Sequence, residues 1–319
     1  MSTTDNIPGD NLPGDPANQR CGFVALVGAP NAGKSTLMNR MVGSKLSIVT
    51  PKVQTTRSRI TGIAIEGDAQ IIFVDTPGIF EPKRRLDRAM VTAAWAGVAD
   101  ADAVVVLVDA GRAIKAEGHL DPDTARIVEG LKKASRSAIL ALNKLDTVER
   151  GALLTLTEAL NKAYAFSETF MLSALNGDGV IDLRARLVSL LPQGPWLYPE
   201  DQLSDVPMRL LASEITREQA FLQLHQELPY ALTVETENWE ERKDGSVKID
   251  QVVIIGRENH KAMVLGKGGA RLKSIGSAAR QSLTAQLGRT VHLFLHVKVR
   301  ENWQDKPEHY SAIGLDFEE

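Results

Sequence analysis

Between the apolar run Phe23–Val27 and a helix-length segment beginning at Lys34 stands Gly28-Ala29-Pro30-Asn31-Ala32-Gly33-Lys34-Ser35-Thr36. It fits G-x-x-x-x-G-K-[ST], and strand before, helix after is the context that pattern requires. The glycines let the backbone wrap a phosphate with its N–H groups pointing inward. Lys34 adds a cation for the β and γ phosphates, Ser35 a hydroxyl for Mg²⁺, and the helix N-terminus its positive dipole end. A chain with this feature is committed to a phosphate-binding α/β domain, and the rest of the sequence is consistent with one. Strand candidates at Phe23–Val27, Ile71–Asp75, Val104–Asp109, Ala138–Asn143 and Thr169–Leu172 alternate with helix-length segments at Lys34–Met41, Arg84–Ala99, Asp121–Ala134 and Gly151–Ala165. Such alternation predicts a mostly parallel sheet with helices on both faces. Arg59–Glu66 alternates in hydropathy and runs through a Gly-Asp turn into Ile71, as an antiparallel hairpin partner would.

The 319 residues leave room for a second domain. Pro192–Pro207 carries four prolines and reads as a linker. Residues 208–303 then run in the order α-β-β-α-α-β, with helices at Arg209–His225, Lys261–Leu265 and Ala270–Leu287 and strands at Tyr230–Asn238, Val247–Ile255 and Thr290–Arg300. The domain limits expected are therefore a disordered arm at 1–20, a nucleotide-binding domain at 21–191, a linker at 192–207, an α+β domain at 208–303 and a short, mostly acidic tail at 304–319. The arm holds three prolines and two glycines with almost no large apolar residue. The N-terminus shows no basic segment followed by an apolar run, and no stretch of 18 apolar residues occurs, so neither a signal peptide nor a membrane-spanning helix is expected. The one cysteine, Cys21, allows no internal disulfide and no cysteine zinc site, and points to the cytosol.

The base preference lies in Asn143-Lys144-Leu145-Asp146, at the end of the fourth parallel strand. A carboxylate accepts hydrogen bonds from guanine N1–H and its exocyclic amine; adenine offers neither at those positions. A buried Asp146 left unpaired would cost a few kcal/mol, so adenine is expected to be rejected. Asp75-Thr76-Pro77-Gly78 ends an apolar strand with a carboxylate able to hold Mg²⁺ through water. Coming after a P-loop, N-K-x-D resembles the guanine-specificity motif of the Ras-like GTPase superfamily. That resemblance implies that the Gly78 N–H meets the γ-phosphate and that Ser173-Ala174-Leu175 contacts the guanine O6 through its main chain. It also implies that a threonine of Pro51-Lys52-Val53-Gln54-Thr55-Thr56-Arg57 closes over Mg²⁺ and the γ-phosphate, Thr56 with Thr55 as the alternative. Lys34, Thr56, Gly78 and Asn31 are thereby the catalytic candidates. Ser35, Thr56 and Asp75 are the metal set. Loss of the γ-phosphate would release both loops. Ile79 stands where Ras-type enzymes carry the glutamine that orients water, so intrinsic hydrolysis is expected to be slow. In related bacterial GTPases an asparagine at the place of Asn31 helps to bind K⁺, which implies faster turnover in K⁺ than in Na⁺.

Gly266-Lys267-Gly268-Gly269 is a G-x-x-G loop between two helices, and its glycines allow close approach to a nucleic-acid backbone. Residues 257–300 hold nine Lys and Arg against one acid, a local balance of +8 in a chain of net −3. A basic face of this kind binds phosphates in a salt-dependent way. Lys261, Lys267, Arg271 and Lys273 are the candidate contacts for single-stranded RNA. Val264 and Ile275 read as core residues that could also line a base groove. Trp196, Trp239 and Trp303 follow no stacking pattern and read as packing residues, and the histidines show no metal-ligand spacing.

The set G-x-P-N-x-G-K-S-T, T-T-R, D-T-P-G, N-K-x-D and S-A, followed by one such C-terminal domain, resembles the Era-like GTPases of bacteria over about residues 21–303. The resemblance implies an α/β P-loop GTPase domain followed by a smaller α+β type II KH domain, with GTP and GDP as ligands. It implies binding near the 3′ end of 16S ribosomal RNA, a role in small-subunit assembly, and a cytoplasmic, monomeric protein with peripheral association at the inner membrane. A G protein whose second domain binds a protein or a membrane surface is the alternative expectation. A tRNA-modification GTPase is disfavoured because those relatives use a C-terminal cysteine, and a tandem G-domain protein by the single P-loop.

Overall fold

The structure is a computed structural model that describes residues 18–116 and 120–317. The first 17 residues of the expected arm lie outside the described residues. In chain order the first domain contains β1 (Arg20–Gly28), α1 (Lys34–Val42), β2 (Ile60–Glu66), β3 (Ala69–Asp75), α2 (Arg85–Asp100), β4 (Ala103–Asp109), α3 (Ala110–Ile114) and α4 (Pro122–Ala134). It continues with β5 (Ile139–Asn143), α5 (Arg150–Ala163), β6 (Thr169–Met171) and α6 (Val180–Leu190). The strands form one six-stranded sheet in the order β2-β3-β1-β4-β5-β6. Only the β2–β3 pair is antiparallel, closed by a turn at Gly67, which sits at φ 56°.

The central strands are apolar at nearly every position because both of their faces are covered. Leu37, Met38 and Met41 of α1 and Val180, Leu183 and Leu187 of α6 pack on one face. Ala94 and Val98 of α2, Ile127 and Leu131 of α4, and Leu153, Leu156 and Leu160 of α5 pack on the other. Where β1 and β4 end side by side, the strand order reverses and leaves a crevice at the carboxyl ends of the strands, the usual ligand position in such sheets.

The second domain comprises α7 (Met208–Gln223), β7 (Leu232–Glu241), β8 (Val247–Ile255), α8 (Glu258–Leu265), α9 (Ala270–Leu287) and β9 (Val291–Val299). Its sheet runs β7-β8-β9, with β8 antiparallel to β7 and parallel to β9. Val264 and Ile275 are both buried in the core under this sheet and leave no side chain for a base groove.

Two expectations differ from the fold. The 192–207 stretch does not hang free between domains. The buried Gln70 amide accepts from the Leu197 and Tyr198 N–H groups at 2.9 and 3.1 Å, and the Ile63 N–H donates to the Leu203 carbonyl at 2.8 Å. Prolines remove donors from this stretch, and the edge of β2 and Gln70 engage the groups that remain. Nor is 304–319 simply a tail. It carries α10 (Pro307–Ala312) and buries Tyr310, Ile313 and Leu315. These pack with Trp303 in one cluster that also holds Phe80, Leu86 and Met90 of the first domain and Val252 and Ile254 of the second. The acidic residues of this stretch conceal an apolar stripe, whose burial stabilises the junction by roughly 1.5–3 kcal/mol per large side chain.

Candidate functional site: a phosphate cradle and a nucleic-acid interface

The P-loop turns because two glycines permit it. A Cβ at Gly28 would lie 2.5 Å from the Leu107 carbonyl oxygen. Gly33, the residue before α1, sits at φ 101°, where a Cβ would lie 2.2 Å from Asn143 Nδ2. Asn143 itself ties the cradle to the end of β5: its amide donates to the Ala32 carbonyl at 2.7 Å and accepts from the Ala174 N–H at 2.9 Å. Lys34 is buried, its Nζ 3.1 Å from the carbonyls of both Gly28 and Ala29. Burial pulls its pKa down to about 8, with the nearby Asp75 opposing the shift.

Ser35, Thr56 and Asp75 come together although 40 residues separate the outer pair. The Ser35 hydroxyl donates to Asp75 Oδ2 at 2.6 Å and lies 2.9 Å from the Thr56 hydroxyl. Ser47 adds a third hydroxyl on the same oxygen at 2.7 Å. Asp75 Oδ1 is buried with no partner among the described residues, and burial raises the carboxyl pKa. Hydroxyls around a buried carboxylate with one orphaned oxygen are the donor set of a hard divalent cation, so these residues fit Mg²⁺. Thr55 is directed elsewhere, its hydroxyl bonded to Thr50 at 2.7 Å and to the Lys52 carbonyl at 2.8 Å.

Around this cluster lies a cavity of about 370 Å³ between the P-loop and residues 48–56, with Gly78 and Lys144 on its wall. Gly78 leaves no room for a side chain against Pro30, where a Cβ would meet backbone at 2.9 Å. Thr76 donates to the Leu26 carbonyl at 2.8 Å and Ile79 is buried in the core, its N–H bonded to the Gly28 carbonyl at 3.1 Å. Asn31, at φ 63°, donates to the Pro51 carbonyl at 2.9 Å and so joins the P-loop to the loop that covers it.

At the base end Lys144 pairs with Asp109 at 2.6 Å, and Ser173 donates to Asp146 at 2.6 Å. Asp146 is exposed here rather than buried; a carboxylate bears its desolvation penalty only once a base covers it, and the selectivity argument holds for that covered state. Leu175 is 67% exposed and contributes only main chain to this end. Arg40 holds that loop by donating to the Ala174 carbonyl at 2.7 Å and to the Leu175 carbonyl. Ser47, Asp109 and Arg40 were not foreseen. Each acts on a motif residue from outside the motif, and nothing local to Ser47 or Arg40 marks it. Asp109 had a visible signal, as the carboxylate ending β4 beside Asn143, the residue before Lys144.

In the second domain Gly266, Gly268 and Gly269 all adopt positive φ, at 70°, 58° and 78°. Lys267, Arg271 and Lys273 are exposed, and Arg271 also donates to the Met263 carbonyl at 2.8 Å. Lys261 is half-buried and lies 3.4 Å from Glu258. Beside the loop runs a groove of about 380 Å³ with Leu272, Gly276, Leu293 and Leu295 as its apolar floor and Lys273 and Arg280 on its rim. Arg280 was not singled out, although two helical turns separate it from Lys273 on one face of α9. Trp303 is buried, Trp196 is half-buried and donates to the Asp68 carbonyl, and Trp239 donates to Glu241.

Comparison with known proteins follows the same division. The family profile described as "50S ribosome-binding GTPase" matches residues 23–144, and the profile described as "KH domain" matches residues 227–304. GTPase Era of Dinoroseobacter shibae is 60% identical over 94% of this chain and 97% of its own length. GTPase Era of Rhizobium meliloti is 59% identical over 93% of each chain. Among solved structures, a variant of Aquifex aeolicus Era bound to GDP and aluminium fluoride superimposes with a TM-score of 0.86 at 38% identity, covering 93% of this chain and 99% of that one. Era in complex with MgGDPNP and nucleotides 1506–1542 of 16S ribosomal RNA gives 0.87 at 37% identity with the same coverage. With its P-loop cradle, guanine-reading end and G-x-x-G groove in one chain, this protein belongs to the Era family of GTPases.

Proposed function

We propose that this GTPase is a nucleotide-driven RNA-binding switch that engages 16S ribosomal RNA near its 3′ end and assists assembly of the small ribosomal subunit. The observation that carries the reading is the G-x-x-G loop with three glycines at positive φ, opening a groove with an apolar floor and a cationic rim. Bases can lie on such a floor while Lys267, Arg271, Lys273 and Arg280 meet phosphates. The solved relative that holds 16S ribosomal RNA supports the choice of ligand.

On the nucleotide side the backbone of Gly28–Thr36 wraps the phosphates and Lys34 supplies their cation. Ser35, Thr56 and Asp75 hold Mg²⁺, which offsets phosphate charge when bound. Asp146 reads guanine, and Thr56 and Gly78 sense the γ-phosphate. Ile79 cannot orient water, so intrinsic turnover is slow, and Asn31 helps to place a K⁺ that adds positive charge. Turnover faster in K⁺ than in Na⁺ is the expected outcome; equal rates count against that role. We place the protein in the cytoplasm as a monomer, with peripheral contact to the inner membrane. Among the described residues no helix is long and apolar enough to cross a membrane.

The test is binding of the full chain to labelled single-stranded RNA from the 3′ end of small-subunit ribosomal RNA, in GDP or a non-hydrolysable GTP analogue. Tight, salt-sensitive binding that is lost in Lys267→Asp/Gly268→Asp and strengthened by the analogue is expected. No binding in either nucleotide state sinks the RNA reading and leaves the GTPase standing.

A further inference from the structure

Residues 49–57, which cover the phosphate cradle, are held from outside the first domain. Glu218 of α7 accepts from the Val49 N–H at 2.9 Å and pairs with Lys45 at 2.5 Å. Lys52 donates to the Phe221 and Leu224 carbonyls at the C-terminal end of α7, where a helix favours a cation. Arg57 is buried and donates to the Leu232 carbonyl at 2.7 Å and the Tyr230 carbonyl at 3.3 Å. Arg217 is 1% exposed, pairs with Glu214, lies over the Phe221 ring at 5.0 Å, and donates through Nη2 to the Thr55 carbonyl. Thr56 thus sits between two buried arginine contacts, one fastening the peptide before it and one the residue after it.

We propose that Arg217 of the second domain is a positioning residue for GTP hydrolysis: through the Thr55 carbonyl it holds the Thr55–Thr56 peptide, and with it the Thr56 hydroxyl, in the metal-binding constellation. The peptide is planar and trans, so a grip on its carbonyl fixes the plane that carries the Thr56 Cα and, from it, the hydroxyl. A fork already paired to Glu214 has little freedom left to lose, so it can fix this peptide at small entropic cost. Once the second domain moves away, Arg217 leaves with α7 and the peptide loses its anchor. The hydrolytic site is therefore complete only in the docked arrangement, and GDP binding, which needs the cradle but not Thr56, is not affected.

This inference rests on Thr56 being the threonine that closes over the γ-phosphate, and the experiment separates the two. Single-turnover and steady-state GTP hydrolysis, the Mg²⁺ concentration for half-maximal rate, and GDP affinity are measured on full-length Thr56→Ala, Arg217→Lys, Glu214→Leu/Arg217→Met, and that pair combined with Thr56→Ala. The apolar pair removes the buried ion pair without orphaning either charge, which keeps the fold; the lysine variant keeps the charge without the fork. Both Arg217 variants are expected to lose at least tenfold in kcat with GDP Kd within twofold, and to need several-fold more Mg²⁺. On the Thr56→Ala background the apolar pair should cost less than twofold more, because its effect passes through Thr56. Wild-type kcat in the Arg217 variants, or losses that multiply fully with Thr56→Ala, overturns the inference. Wild-type kcat in Thr56→Ala overturns the reading beneath it.

Discussion

An alanine at position 33 would place a methyl group inside the Asn143 amide. The Cβ would lie 2.2 Å from Nδ2, far inside contact distance, on a backbone at φ 101° and ψ 19°. Strain of that kind costs about 1–3 kcal/mol for a residue with a Cβ. Asn143 would have to leave, and two buried groups, the Ala32 carbonyl and the Ala174 N–H, would lose partners now at 2.7 and 2.9 Å. Each orphaned group costs about 1–3 kcal/mol. Gly33→Ala should therefore lose about 3–9 kcal/mol, a large part of a stability of about 5–15 kcal/mol. Asn143→Ala alone, which orphans the same two groups, should lose about 2–6 kcal/mol. On that background the clash is gone and Gly33→Ala costs only its backbone term, so the pair falls short of additivity by that same shared cost, about 2–6 kcal/mol. Urea unfolding of the nucleotide-free protein, followed by tryptophan fluorescence in a Trp196→Phe/Trp239→Phe/Trp303→Phe background that leaves Trp95 against the first-domain core, reads all four corners of the cycle. Additivity within about 0.5 kcal/mol would refute the contact as the cause.

Asp146→Asn should weaken GDP binding by roughly 10²–10³-fold and restore affinity for xanthosine diphosphate, as measured by competition against a fluorescent GDP. Lys34, at about pKa 8 before a phosphate arrives, should return toward its ordinary value of 10.5 once one binds. Binding at pH 8 should then take up about half a proton and at pH 6.5 almost none, and calorimetry in buffers of different ionisation enthalpy reads the difference. Tyr310→Ala should cost about 3–5 kcal/mol in thermal unfolding, since it empties the cluster shared by both domains; a shift of under a degree would mean that the cluster does not stabilise the junction.

Whatever a run of neighbouring residues specifies could be read directly: the cradle at 28–36, the carboxylate ending β3, the guanine motif ending β5, and the G-x-x-G loop between two helices. Each is chemistry and local conformation in one short stretch. What escaped depends on which distant surface a side chain meets. Glu214, Arg217 and Glu218 give α7 a polar pattern that reads as a solvent-facing stripe, yet all three are buried: residues 45–57 of the other domain supply partners for Arg217 and Glu218, and Glu214 pairs with Arg217. No local pattern in either segment announces the other. The 304–317 stretch misled for the opposite reason, since Glu308 and Asp316 mask the spacing of Tyr310, Ile313 and Leu315. The choice between Thr55 and Thr56 was also beyond sequence, because adjacent identical residues differ only in which way the backbone turns them.

The segment from Trp303 to Leu315 fastens α2 to β8, and in chain order it follows every strand of both domains. A chain emerging from the ribosome folds its first domain as a unit before this piece exists. The second domain can also form its sheet while the piece is still in the tunnel. The apolar cluster at the junction is thus the last structure to be completed. Until then the nucleotide cradle belongs to a chain whose halves are not yet joined through that cluster. The joint closes only when synthesis has run past the wedge from Trp303 to Leu315, so a change within that wedge bears on both domains at once.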